Sequence, residues 1–168
     1  MKVVVGCDLE DFKEYYKRTM GWELDVTEEN IIMENPSHLI LWREDHQIIG
    51  HAIWHESNTE EHRKGLPRDK MDREILKNLL KGKKDFIELH EIWLRKEHRG
   101  KGYGRKFFEF FEEFVRNRGY DSIVYYADHP AAIAICRQRG YEEAYGVELA
   151  GKTYYVFYLS LRKKNLKG

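Results

Sequence analysis

The stretch from Glu88 to Arg118, E-L-H-E-I-W-L-R-K-E-H-R-G-K-G-Y-G-R-K-F-F-E-F-F-E-E-F-V-R-N-R, constrains the fold more than any other part of the chain. An apolar run from Phe86 to Leu94 has the make-up of a strand. A charged loop follows, then three alternate glycines, Gly100, Gly102 and Gly104. Beyond them Phe107, Phe108, Phe111, Phe114 and Val115 recur at helical spacing. The order is strand, glycine loop, helix. The glycines let the backbone approach a ligand without Cβ atoms in the way, and the unpaired N–H groups and dipole of the helix start favour an anion. Arg99 and Lys101 add cations at the same place, which points to a phosphate.

The order of residues narrows the choice. A Walker loop, G-x-x-x-x-G-K-S/T, is absent, and Gly100-Lys101-Gly102-Tyr103-Gly104 is out of phase with the dinucleotide pattern G-x-G-x-x-G. Arg99-Gly100-Lys101-Gly102-Tyr103-Gly104 does resemble the R/Q-x-x-G-x-G/A loop of the GCN5-related N-acetyltransferases (GNAT), in the same position between a long strand and a long helix.

The elements on either side fit that resemblance. Lys2 to Gly6 reads as a strand, and Asp8 as the cap of a helix carrying Leu9, Phe12, Tyr15, Tyr16 and Met20 and closed by Gly21. A short second helix near Thr27 to Asn30 is expected, then a hairpin of Leu39 to Arg43 and Ile48 to His55. Residues 57–85 read as a charged loop plus one helix with a stripe of Met71, Ile75, Leu76, Leu79 and Leu80, closed by Gly82. Ser122 to Tyr126 is a strand, Pro130 to Arg139 a helix, and Val147 to Leu149 with Tyr154 to Leu161 a last strand pair before a basic tail, Arg162 to Gly168. The expected class is α/β (α+β): the GNAT fold, a central mixed, largely antiparallel twisted sheet of about seven strands with splayed fourth and fifth strands and helices on both faces. The 168 residues are expected to form a single domain.

Twenty-nine basic residues balance 29 acidic ones, so neither nucleic acid nor an acidic membrane is an expected partner. Two cysteines are too few for a disulfide scaffold, and the N-terminus lacks an apolar export segment, which leads to a cytoplasmic expectation. No metal site is expected. His51 and His55 are four apart, but on a strand that spacing separates them by about 13 Å.

The resemblance implies acetyl-CoA as cosubstrate and an amine as acceptor, joined by direct attack in a ternary complex. It assigns the coenzyme to Ile92, Trp93 and Leu94 of the strand, to Arg99, Gly100, Lys101, Gly102, Tyr103, Gly104 and Arg105 of the loop, and to His129 and Ala132 near the later helix. A backbone N–H near Leu94 would stabilise the oxyanion. An ammonium of pKa about 10.4 must lose a proton before it attacks, so a base is needed. Strand alternation puts Glu88, His90, Ile92 and Leu94 on one face and Leu89, Glu91 and Trp93 on the other. His90-Glu91-Ile92-Trp93-Leu94 also resembles the acidic acceptor-site segment of spermidine/spermine acetyltransferases. Glu91 is therefore the candidate for amine binding or base work, His90 the rival base and Glu88 the third choice. The family's second signature places a tyrosine acid where this chain has Cys136, and an asparagine where it has His129. Cys136 is thus a candidate acid, with Tyr125, Tyr126 or solvent as alternatives. The altered signature also leaves a competing reading, a non-catalytic acyl-CoA-binding module. Pairing of two subunits through the last strands is a further possibility that the ring-rich Tyr154 to Leu161 allows.

Overall fold

A computed structural model describes residues 2–149 and 151–161, with the side chains of 145–147 and 149 left aside. The expected tail, Arg162 to Gly168, and Ala150 of the last turn lie outside the described residues. Among the described residues, five α-helices and nine strands follow one another as β1 (Lys2–Val5), α1 (Leu9–Met20), α2 (Val26–Glu34), β2 (Leu39–Glu44), β3 (Gln47–Asn58), β4 (Glu61–Arg63), β5 (Leu66–Pro67), α3 (Lys70–Leu80), β6 (Asp85–Leu94), α4 (Tyr103–Asn117), β7 (Ser122–Ala127), α5 (Pro130–Gln138), β8 (Glu142–Leu149) and β9 (Lys152–Ser160). Seven strands form one largely antiparallel sheet with a single parallel pair, in the order β1-β2-β3-β6-β7-β9-β8, as the sequence leads one to expect. By contact density the chain divides into two compact units, residues 1–55 with 89–107, and residues 56–88 with 108–168.

In the first unit, Asp8 caps α1 by accepting from the Glu10 and Asp11 N–H groups at 3.0 and 3.2 Å. Gly21, at φ 85°, ends it in the left-handed conformation. Phe12, Tyr15 and Tyr16 pack with Ile31 and Ile32 of α2 and with Leu39, Leu41 and Ile53 of the β2–β3 hairpin. The cap of α2 is Asp25, whose carboxylate accepts from the Glu28 N–H at 2.8 Å, so this helix starts before the expected Thr27. Gly50 is required in β3, since a Cβ there would lie 2.7 Å from the Trp93 carbonyl oxygen and 3.2 Å from the Phe107 ring.

In the second unit, Leu76, Leu79 and Leu80 of α3 pack with Phe86, Val124, Val156 and Tyr158. Met71 drops out of the expected stripe and is exposed, because it lies in the first turn, clear of the packed face. The segment expected to be a plain charged loop contains a small hairpin, β4 against β5. Arg68 anchors it from a buried position. Its guanidinium donates to Glu88 at 3.0 Å, Asp72 at 2.9 Å, Ser57 at 2.7 Å, the Asn58 carbonyl at 2.9 Å and the Tyr126 hydroxyl at 3.2 Å. So complete a set of acceptors is what a buried charge requires. Strand β8 begins at Glu142, five residues earlier than its apolar content suggests. Backbone pairing with β9, with an irregularity between Ala144 and Val147, sustains a strand whose charged residues face water.

Candidate functional site

The glycine loop has the expected form. After Leu94 the chain makes a short 3-10 turn, Lys96–His98, and then passes Gly100 and Gly102 at φ +80° and +82° into α4. The first helical bond of α4 runs from the Lys106 N–H to the Gly102 carbonyl at 3.2 Å. The amides just before it have no carbonyl one turn back within the helix, as at every helix start. Side chains with L chirality rarely adopt these φ values, so the loop depends on glycine for its path. Arg99 folds back: its guanidinium lies 4.3 Å over the Trp93 ring and its Nε donates to the Leu94 carbonyl at 2.9 Å. The Trp93 Nε1 and His98 Nδ1 atoms beside this loop are buried and lack a partner among the described residues, which suits a polar ligand seated there. Cations, left-handed glycine turns, helix start and orphaned polar atoms all fit a diphosphate-bearing coenzyme.

Glu91 occupies the other notable position in the first unit. Its Oε2 meets the His51 Nε2 at 2.9 Å, and its Oε1 accepts from the Tyr16 hydroxyl at 3.1 Å. His51 is fully buried and its Nδ1 lies 3.2 Å from the Tyr15 hydroxyl, whereas the Glu91 side chain keeps 22% of its surface exposed. Burial pushes the Glu91 carboxyl up, but the hydrogen bond and charge of His51, the Tyr16 hydrogen bond and the charge of His90 outweigh it. The pKa therefore falls below the ordinary glutamate value. Burial raises both phenols, Tyr15 and Tyr16, well above the usual tyrosine value, which keeps them protonated as donors. His90 brings its Nε2 to 3.5 Å from Glu28 in the first turn of α2. Glu28 is also close enough to add to the raised pKa of Tyr16. Neighbours on β6 that alternation would send apart thus both meet the α1–α2 pair.

The remaining candidates lie in the second unit. Glu88 is buried and bound to Arg68 and, at 3.0 Å, to His62. Tyr126 donates to Asp72 at 2.5 Å, within the same network. His129 caps α5, its Nδ1 accepting from the Ala131 N–H at 3.2 Å, and Ala132 follows in the first turn. Cys136 has no exposed surface; burial first, then the Glu112 charge, push its thiol up to about 12. Nearby, Arg139 grips Glu112 through two bonds of 2.7 and 2.6 Å, and Tyr141 donates to the same carboxylate at 3.0 Å.

On sequence, His51 is weighed only as a metal ligand beside His55, and Arg68 is not singled out. His51 carries a signal, a histidine among Gly50, Ala52 and Ile53 of an apolar strand, whereas Arg68, in a charged segment, carries none.

The comparisons agree with this architecture. The model of the Acetyltransferase (GNAT) family matches residues 6–141, and the chain belongs to that family. No curated protein matches the sequence. Among solved structures, the chain is similar to a polyamine N-acetyltransferase of Drosophila melanogaster that forms N-acetylagmatine. The TM-score is 0.70 and the identity 12%, over 95% of this chain and 100% of that one. It is also similar to a mosquito protein named arylalkylamine N-acetyltransferase like 5b, with a TM-score of 0.65 and 13% identity over 94% and 98% of the two chains. A third is the yncA protein of Salmonella typhimurium with its cofactor acetyl-CoA, with a TM-score of 0.64 and 14% identity over 99% and 97%. Among the described residues, no helix is long and apolar enough to cross a membrane.

Proposed function

We propose that this chain is an acetyl-CoA-dependent N-acetyltransferase acting on a cationic primary amine. The observation that carries this reading is the glycine loop, with two left-handed glycines, flanking cations and a helix start directed at one anion site. The neighbours named above for polyamines and arylalkylamines support an amine acceptor.

In this reading the loop amides of Gly100 to Gly104, with Lys101 and Arg105, hold the diphosphate, and Arg99 stiffens the loop by its bond to the Leu94 carbonyl. The main chain of Ile92, Trp93 and Leu94 aligns the pantetheine arm, and the N–H near Leu94 stabilises developing negative charge on the acetyl oxygen. Acetyl-CoA supplies the thioester that the amine attacks. Glu91 serves as anchor for the substrate ammonium rather than as base, because a carboxyl below its ordinary pKa is a weak proton acceptor near neutrality. His90 is the base, with Glu28 at 3.5 Å placed to hold the imidazolium that forms. Cys136 receives no role in the reaction. A fully buried thiol pushed to about 12 is a poor proton donor.

That last observation also favours the second reading, an acyl-CoA-binding module that does not transfer the acyl group. Incubating the purified protein with acetyl-CoA and a panel of amines, read by product mass, separates the two. Acetylated product from cationic amines, with kcat reduced in His90→Gln, is the expected result. Acetyl-CoA binding without product from any amine would favour the second reading.

A further inference from the structure

We propose that His51 is a positioning residue: a fully buried imidazole, itself held by Tyr15, that fixes the Glu91 carboxylate in one ionised orientation for the ammonium of the acceptor. This rests on the reading of Glu91 as the ammonium anchor.

The ionised carboxylate fixes the direction of the bonds that reach it. An ionised carboxylate can only accept, so at the 2.9 Å contact the proton sits on His51 Nε2. The 3.2 Å contact between His51 Nδ1 and the Tyr15 hydroxyl serves either form of the ring: the phenol donates to a neutral imidazole and accepts from an imidazolium. The Tyr16 hydroxyl donates to the other carboxylate oxygen at 3.1 Å. Each oxygen of Glu91 is therefore bound by one donor, and the partly exposed carboxylate keeps further lone pairs with which to accept from a cation.

His51 itself has no freedom to turn. The rings of Phe12, Tyr15 and Tyr16 surround it at centroid distances of 5.3, 5.7 and 5.5 Å, two of them edge-on. Binding an ammonium through a carboxylate that is already aimed avoids the cost of ordering the carboxylate at the moment of binding. The charged and titratable groups facing this centre are His51 from β3, Tyr15 and Tyr16 from α1, Glu28 from α2, and His90 with Arg95 from the β6 end. Of these, His51 makes the shortest contact with Glu91.

The test combines two readouts on wild type, His51→Leu, His51→Gln and Tyr15→Phe. Titration of the Glu91 side-chain carboxyl by NMR, assigned with Glu91→Gln, needs no activity. Steady-state kinetics with the best amine separates KM from kcat. In His51→Leu the Glu91 titration is expected to move up by about one pH unit and the amine KM to rise about tenfold, with kcat changing less. His51→Gln keeps an N–H near the Nε2 position and should recover most of both losses. Tyr15→Phe should move both in the direction of His51→Leu by a smaller amount, and it carries the test if the leucine variant does not fold. An unmoved Glu91 titration in His51→Leu, or in Tyr15→Phe where that variant stands in, would overturn the role of His51. A moved titration with amine KM unchanged in both His51→Leu and Glu91→Gln would instead remove Glu91 as anchor, and the proposal with it.

Discussion

Glu91 shows how one residue type gains a role from its surroundings. In an apolar strand a carboxyl is costly, and the protein offsets that cost with two directed donors rather than with an arginine. Replacing it with glutamine should raise the amine KM by about tenfold or more while acetyl-CoA affinity stays near wild type, as steady-state kinetics and calorimetry would show. The pH dependence has a definite sign. A glutamate whose folded pKa lies below its unfolded value, about 4.3, contributes stability that is fully present above that pH and is lost as pH falls through the folded pKa. Melting temperatures between pH 6 and pH 3 should therefore fall more steeply for wild type than for Glu91→Gln. Cys136 gives the opposite lesson. With no exposed surface and a thiol raised to about 12, it should resist alkylation at neutral pH until the protein unfolds, so that mass spectrometry of briefly treated native protein finds label on Cys7 before Cys136.

Elements were legible in the sequence where their pattern is set by local rules. Asp8 and Gly21 mark both ends of α1, and the expected apolar stripe of α4 is buried at Phe107, Phe108, Phe111 and Val115, with Phe114 only half-buried. The β4–β5 hairpin was not legible, because a three-residue strand paired with a two-residue one has no periodicity and is held in place by Arg68, whose partners are brought together by the fold. Arg68→Met should destabilise the protein by about 3–5 kcal/mol, since Glu88 and Asp72 would lose their buried counter-charge; denaturant unfolding measures this. The close approach at Gly50 was also hidden, since only the packed strands reveal it. Gly50→Ala should cost about 1–3 kcal/mol and lower Tm, the Cβ being driven against the Trp93 carbonyl.

For the whole molecule, the order of elements and the seven-stranded sheet followed from the sequence, and membership of the acetyltransferase family rests on the match over residues 6–141. The glycine loop was legible because its pattern is local, six consecutive residues with a helix behind them. Of the proposed amine side, the sequence pointed only to Glu91 and His90. Its other parts, His51, Tyr15, Tyr16 and Glu28, come from three separate elements and look like ordinary core or surface residues until they meet. Balanced charge means that the field of the whole protein does not draw in an anion, so the proposed function makes coenzyme capture depend on the loop. Calorimetric titration of acetyl-CoA into wild type and Gly102→Val tests that dependence most directly. Saturable binding by wild type, weakened at least about tenfold by a side chain at a left-handed glycine, is the predicted result. No uptake by well-folded wild type at millimolar acetyl-CoA, or equal affinity in the two proteins, would contradict it.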